Sequence, residues 1–289
     1  MNIAEIAQRV GPSVVGLGSG ARGGSGVVVA PGRVLTLARN VTGDAVEVHL
    51  GGGEAVPGRV VGRDVGVDAA VVAIEADVAP VAWAADDGAV GIGTPVAALG
   101  DPAGRGLRVT PGVVASAPRG VRGPRGRLIE GVLEHTAPLP RGSGGGPLVD
   151  ATGRLLGLNA VRRPGGLILA WPAGVLRPAA EALASGAHRP PRQLGVAVAP
   201  PAVARRLRGA VGLPEADGLL VRGVRDGSAA DRAGLARGDL IVEAAGRPVV
   251  AIDDLYVVLD AAAPGAAVAL GVLRGAERRE LSATLEEPS

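Results

Sequence analysis

Few residues in this chain can transfer protons or attack a carbonyl. There are three histidines and no cysteine, which removes disulfides, thiolate nucleophiles and Cys-based metal sites. His49 lies in a Val-rich run, His188 in a Pro/Arg-rich segment, and His135 a few residues ahead of Gly142-Ser143-Gly144-Gly145-Gly146-Pro147-Leu148. That stretch offers one hydroxyl, on Ser143, and a series of backbone N–H groups that could stabilise an oxyanion without any side chain. Serine catalysis needs a hydroxyl, an imidazole to take its proton and a carboxylate to orient the imidazole. His135 alone is near enough in sequence to be weighed as that base, and it is expected to be an ordinary, partly exposed histidine. Arg39, in Thr36-Leu37-Ala38-Arg39-Asn40-Val41, is donor-only and permanently cationic, so it cannot receive a proton. No metal site and no cofactor motif is expected.

The elements that must position these residues are short. Residues 3–9 read as an amphipathic helix, stopped near Gly11-Pro12. From Val14 to about Val175, Val-rich runs such as Gly26–Val29, Ala45–Leu50 and Ala69–Ile74 alternate with Gly, Pro and Asp. That pattern predicts an all-β barrel or sandwich. A helix is expected over 174–186, and Ser185–Arg192 reads as a linker, with 188–192 separating a region 1–187 from a module at 193–286. In that module strands are expected at Leu194–Val198, Asp239–Ala244, Ala267–Leu273 and Arg279–Leu285, and helices at Pro201–Leu207, Ala229–Ala233 and Asp253–Ala262. Such a mixture within one short segment is an α+β unit.

Composition narrows the function classes. The 289 residues are 47% hydrophobic and 20% charged, a folded rather than a disordered mix. The apolar content is aliphatic, with no Phe, one Tyr and two Trp, so Val, Leu, Ala and Ile must fill the cores. A formal charge of +2 is too small to point to a nucleic-acid partner. Arg119, Arg122, Arg125 and Arg127 cluster in a Gly/Pro-interrupted stretch, read as a solvated mobile loop rather than an anion-binding patch. No apolar run reaches the roughly 20 residues of a membrane span. Met1–Ile6 lacks a basic and an apolar region, so no signal peptide is visible.

The order of these segments resembles the HtrA/DegP family, in which a trypsin-like double six-stranded β-barrel precedes a PDZ domain. Gly24–Val29 with Val34–Thr36 is similar to the family's approach to its catalytic histidine, and Gly62–Asp64 through Asp68–Val71 to the segment of its catalytic aspartate. Val96–Gly104 and Val109–Val114 are similar to the start of the second barrel, Gly142–Leu148 to the serine loop, and Gly153–Asn159 to the strand pair after it. The resemblance implies barrels at about 12–100 and 101–175. It also places Asp68 at the carboxylate position, Arg39 where the histidine belongs and Gly144 where the serine belongs, with Gly142 and Ser143 in the oxyanion loop. A triad so altered is not expected to be competent. Arg39 is instead expected to hold Asp68 in a bidentate salt bridge.

Residues 193–286 resemble a PDZ domain through Gln193-Leu194-Gly195-Val196, Gly218–Val221, Gly227–Leu235 and Gly238–Ile241. Such domains add a peptide as an extra strand and capture its terminal carboxylate with backbone N–H groups. By this resemblance Gln193, Leu194, Gly195 and Val196, with Leu255 and Leu259 of the 253–262 helix, would line the groove; the alternative places those leucines in the core. The expected function is binding of peptides or protein C-termini by a catalytically inactive HtrA-like protein, beside an active protease relative in one version of that role. An active endopeptidase acting on unfolded proteins is the alternative. The family implies trimers built on N-terminal contacts and an extracytoplasmic setting, whereas the N-terminus carries no visible export signal.

Overall fold

The computed structural model describes residues 1–19, 23–51, 53–85, 90–123, 127–187, 193–263 and 265–285. His188, Arg125 and the 188–192 linker lie outside them. The chain divides into two compact units, Met1–Arg189 and Pro190–Ser289.

The first unit opens with helix α1 (Ile3–Val10), whose first N–H groups are capped by the Asn2 side chain and which buries Ile6 and Val10. Six strands follow: β1 (Val14–Leu17), β2 (Gly24–Ala30), β3 (Arg33–Thr36), β4 (Ala45–His49), β5 (Ala55–Asp64) and β6 (Ala69–Ile74). They close into a barrel in the order β1-β2-β3-β6-β5-β4. A second barrel is built from β7 (Pro95–Gly100), β8 (Arg108–Arg122), β9 (Leu128–His135), β10 (Pro147–Val149), β11 (Leu155–Arg162) and β12 (Ile168–Pro172). Its order, β10-β11-β12-β9-β8-β7, is the same path read from the other end, so one topology occurs twice. Helix α2 (Ala173–Ala184) closes the unit and buries Leu176, Ala180 and Leu183.

The Val-rich runs are explained by burial on both faces. In β2 and β3, Val28 and Val34 fill the first barrel, while their neighbours Val27 and Leu35 join a core shared with the second barrel, α1 and α2. β7 does the same, with Val96 and Ala98 inside the second barrel and Ala97 and Leu99 in the shared core. Because strand side chains alternate, a strand between two cores is apolar on both faces, save where a buried polar group such as Ser25 or Thr36 finds hydrogen-bond partners.

The expected arginine loop is corrected. Arg119 and Arg122 lie on β8, in register with Val132 and Leu128 of β9, because cross-strand pairing carries the hairpin through the Gly and Pro positions. Arg119 Nη2 lies 3.7 Å from Glu134 Oε1.

The second unit is a sheet of β13 (Val196–Ala199), β14 (Leu219–Val224), β15 (Leu240–Ala244), β16 (Arg247–Pro248), β17 (Ala267–Arg274) and β18 (Glu277–Thr284). Its helices are α3 (Pro201–Ala210), α4 (Ala229–Arg232) and α5 (Ile252–Ala261). The strand expected from Leu194 starts two residues later. Leu194 O accepts from Ala230 N at 2.8 Å and Gly195 O from Arg225 N at 2.9 Å, and Gly195 has φ +85°, so these residues form a loop pinned beside α4. β13 is an edge strand, paired only with β14 among the described strands.

Candidate active site

The cleft of the first unit is assembled from three short connections. Arg39 sits in the 3-10 turn Ala38–Asn40 that follows β3. Asp68 immediately precedes β6, the strand paired with β3, in a left-handed conformation with φ +55°. Gly142–Gly146 fills the turn before β10 of the second barrel. Pairing of β3 with β6 thus brings Arg39 to Asp68, and closure of the second barrel brings Gly144 beside Arg39.

Arg39 and Asp68 form an ion pair, but not the fork-on-fork arrangement expected. Arg39 Nη1 donates to Asp68 Oδ2, the Arg39 backbone N–H donates to Oδ1 at 3.3 Å, and Nη2 reaches Ala160 O of β11 at 2.5 Å. One guanidinium therefore ties the carboxylate of one barrel to a carbonyl of the other. Asp68 is buried, and burial raises its pKa, opposed by the Arg39 guanidinium and backbone N–H. The Trp171 indole is close enough to act on that carboxylate as well, yet its Nε1 makes no hydrogen bond of ordinary geometry.

The glycine loop is held through its carbonyls. Gly144 O accepts from Ser25 N at 3.0 Å and from Asn40 Nδ2 at 2.9 Å, and Gly142 O from Ser25 Oγ at 3.0 Å. Thr36 Oγ1 donates to Ser25 O at 2.7 Å. The N–H groups of Gly142 and Gly144 have no acceptor among the described residues. The loop's glycines are not equivalent. A Cβ on Gly145 would lie 2.2 Å from Ser25 O, and one on Gly146 2.2 Å from Leu99 O. One on Gly144 would meet nothing closer than Leu37 Cδ1 at 3.5 Å. Glycine is sterically required at 145 and 146, whereas the backbone at 144 would accept a side chain.

Ser143 and His135 are both buried. Ser143 is buried against Gly100 of β7, and its Oγ has no hydrogen-bond partner. His135, expected to be partly exposed, is fully buried at the end of β9. Its Nε2 lies 3.0 Å from Asn159 Oδ1. Because Asn159 Nδ2 donates to Gly146 O at 2.9 Å and Pro147 O at 3.0 Å, its Oδ1 must accept, so His135 carries its proton on Nε2. Burial pushes the imidazole down to about 4. It therefore serves as a neutral prop for Asn159, which supports the loop from beneath. Ser25, Thr36 and Asn159 stand out in the sequence only as polar residues in otherwise apolar strand runs, and Asn40, in the turn after β3, carries no such signal.

In the second unit, Leu194, Leu255 and Leu259 are buried in the core, with Val196 packed half-buried against it. Gln193 is exposed and accepts from Arg225 Nη1 at 3.4 Å. The N–H groups of Leu194 and Gly195 have no acceptor among the described residues.

Comparison with known proteins agrees with both halves. The trypsin-like peptidase domain family matches residues 24–158 and the PDZ domain family residues 194–285. The putative serine protease HhoA of Synechocystis is 32% identical over 90% of this chain and 69% of its own. The chain belongs to the HtrA/DegP-like family of trypsin-type serine proteases with one PDZ domain. A probable periplasmic serine endoprotease DegP-like of Halomonas elongata is 31% identical to this HtrA-like chain, which spans 56% of that relative's length. The solved HtrA-type protease AlgW with tripeptide superposes with a TM-score of 0.69 at 27% identity, over all of this chain and 98% of its own. AlgW with decapeptide gives 0.75 at 23% identity, over all of this chain and 99% of its own.

Two outcomes test this geometry. Arg39→Ala should destabilise the first unit by on the order of 2 kcal/mol, less than a fully buried pair would lose because Arg39 is partly exposed. That loss should shrink on acidification, since a protonated Asp68 needs no counter-charge; thermal melts at pH 7 and pH 4 measure it, and equal stability at pH 7 contradicts the tie. His135 has a depressed folded-state pKa, so its contribution is complete above about 6.5 and is lost as pH falls towards about 4. The loss should approach about 3 kcal/mol, and His135→Gln should flatten that part of the stability–pH curve.

Proposed function

We propose that this HtrA-like protein does not hydrolyse peptide bonds and that it binds peptides or protein C-termini through its PDZ domain, as a scaffold, sensor or chaperone-like partner. The supporting observation is Arg39. It occupies the general-base position, donates to Asp68 and Ala160, and has no lone pair with which to take a proton at neutral pH. Gly144 supplies no hydroxyl, and the Ser143 hydroxyl lies without a base. Loss of the serine or histidine from a comparable triad costs on the order of 10⁶ in turnover.

The binding half of the reading draws on the second unit. β13 offers a free strand edge, and the adjoining Gln193–Val196 loop has unclaimed N–H groups, as carboxylate capture beside an added strand requires. Val196, half-buried beside that edge, would supply apolar surface to the groove, whereas Leu194, Leu255 and Leu259 are buried in the core beneath it. The AlgW structures, named with a tripeptide and a decapeptide, lend this weight. A working endopeptidase is the competing reading, favoured by the relatives, which are named as serine proteases.

Incubation with unfolded casein and a fluorophosphonate probe separates the two. No cleavage and no labelling are expected. Time-dependent labelling abolished by Ser143→Ala would establish the enzyme. Gly144→Ser alone should remain unlabelled because no base accompanies it, whereas Arg39→His with Gly144→Ser should gain labelling. For the PDZ domain, peptides with free apolar C-termini should bind the full chain, and amidation should weaken them by about tenfold or more; equal affinity removes carboxylate capture.

A further inference from the structure

A second depression of the first unit shares no described residue with the cleft. It has a volume of about 570 Å³ and is lined by Gly11 after α1, by Leu50 and Glu54 of the β4–β5 turn, by Asp77 and Val78 after β6, and by Leu107 ahead of β8. Its walls are held by the chain itself. Leu50 N donates to Glu54 O at 2.7 Å and Gly53 N to Leu50 O at 2.9 Å, while Ser13 Oγ donates to Ala79 O at 2.7 Å. Leu107 packs so closely on the end of α1 that a Cβ on Gly11 would lie 2.7 Å from its Cδ2. The hollow is therefore preformed, as small-molecule sites usually are.

Its charge is of one sign. Glu54 and Asp77 are exposed, make no ion pair or side-chain hydrogen bond among the described residues, and share the lining with no basic side chain among them. Arg9, the basic residue of the last turn of α1, donates instead to Thr152 O at 2.6 Å. The carbonyl end of α1 adds partial negative charge at the same place. The chain as a whole has a formal charge of +2, so the hollow is a local reversal of sign. The rest of its lining is largely aliphatic. Leu50, Val78 and Leu107 are half-buried, which leaves part of each side chain open to a ligand. A hydrated metal ion would gain nothing from that surface, and a purely apolar molecule nothing from the carboxylates. Two anions beside aliphatic walls match cations joined by methylene groups.

We propose that this hollow binds an aliphatic diamine or polyamine. Its ammonium groups pair with Glu54 and Asp77, and its methylene chain lies against Leu50, Val78 and Leu107, much as a lysine stem covers apolar surface while its head stays polar. The site is separate from the catalytic cleft and from the PDZ loop, and it holds whether or not the cleft hydrolyses peptides. It goes beyond the peptide-binding reading by giving the protein a small-molecule ligand.

The test is a titration of ¹⁵N-labelled full-length protein with spermidine at low salt, followed at the amides of Gly11, Gly51 and Val78 and, as an internal comparison, of Gly142 and Gly144. The first three should shift saturably and the last two should not. N-acetyl-lysinamide, with one ammonium on a similar stem, should bind at least about threefold more weakly, and ammonium chloride should give no saturable shift. Glu54→Gln and Asp77→Asn, both at exposed side chains, should each weaken spermidine by about threefold, and together by about tenfold, with the melting temperature unchanged. The absence of a saturable shift, equal binding by the double variant, or shifts spread alike over Gly142 and Gly144 would overturn the proposal. So would N-acetyl-lysinamide binding as tightly as spermidine, which would make the hollow a dock for a lysine of a protein partner.

Discussion

The first unit depends on the capture of two carbonyl oxygens. Gly142 O and Gly144 O belong to the second barrel, and both are held by groups from the first, the N–H and hydroxyl of Ser25 and the amide of Asn40. A glycine loop left to itself has many conformations of similar energy, and ordering it costs more entropy than ordering any other residue type. Fixing its carbonyls selects one conformation and leaves its N–H groups unclaimed. Asn159 and His135 complete the support from the second barrel, with His135 Nδ1 left without a hydrogen-bond partner among the described residues. The loop's shape therefore does not depend on what side chain stands at position 144.

The Arg39–Asp68 pair ties the first barrel to this loop's surroundings in a different way. A buried carboxylate at Asp68 would be costly alone. Arg39 compensates it and at the same time reaches Ala160 O, so one guanidinium joins the two barrels. The pair adds modestly to stability, because a half-exposed arginine is well screened.

Much of the fold was legible before any coordinates. Val-rich runs with frequent turn signals marked a multi-stranded β region, and Gly-rich segments in family order marked two barrels and a PDZ-like module. The misreadings have a common cause. Gly and Pro around Arg119 and Arg122 signal a loop, but pairing with β9 outweighs those local signals. Nothing local in the sequence distinguishes an imidazole inside a barrel, such as His135, from one outside it. The strand expected at Leu194 begins at Val196 because Ala230 and Arg225, both distant in sequence, bend the residues before it.

By itself the sequence determined what this protein lacks: no imidazole at position 39 and no hydroxyl at position 144, facts of composition that no folding can alter. It also determined strand content, since a strand that faces two cores is largely apolar on both faces. Only the tertiary structure decided where the remaining polar groups go. Ser143 turns into the barrel wall, His135 becomes a buried prop, and Arg39 divides its donors between Asp68 and Ala160. For Arg39 and His135 the outcome is set by which acceptors lie within about 3 Å, and those come from segments 24 to 121 residues away along the chain.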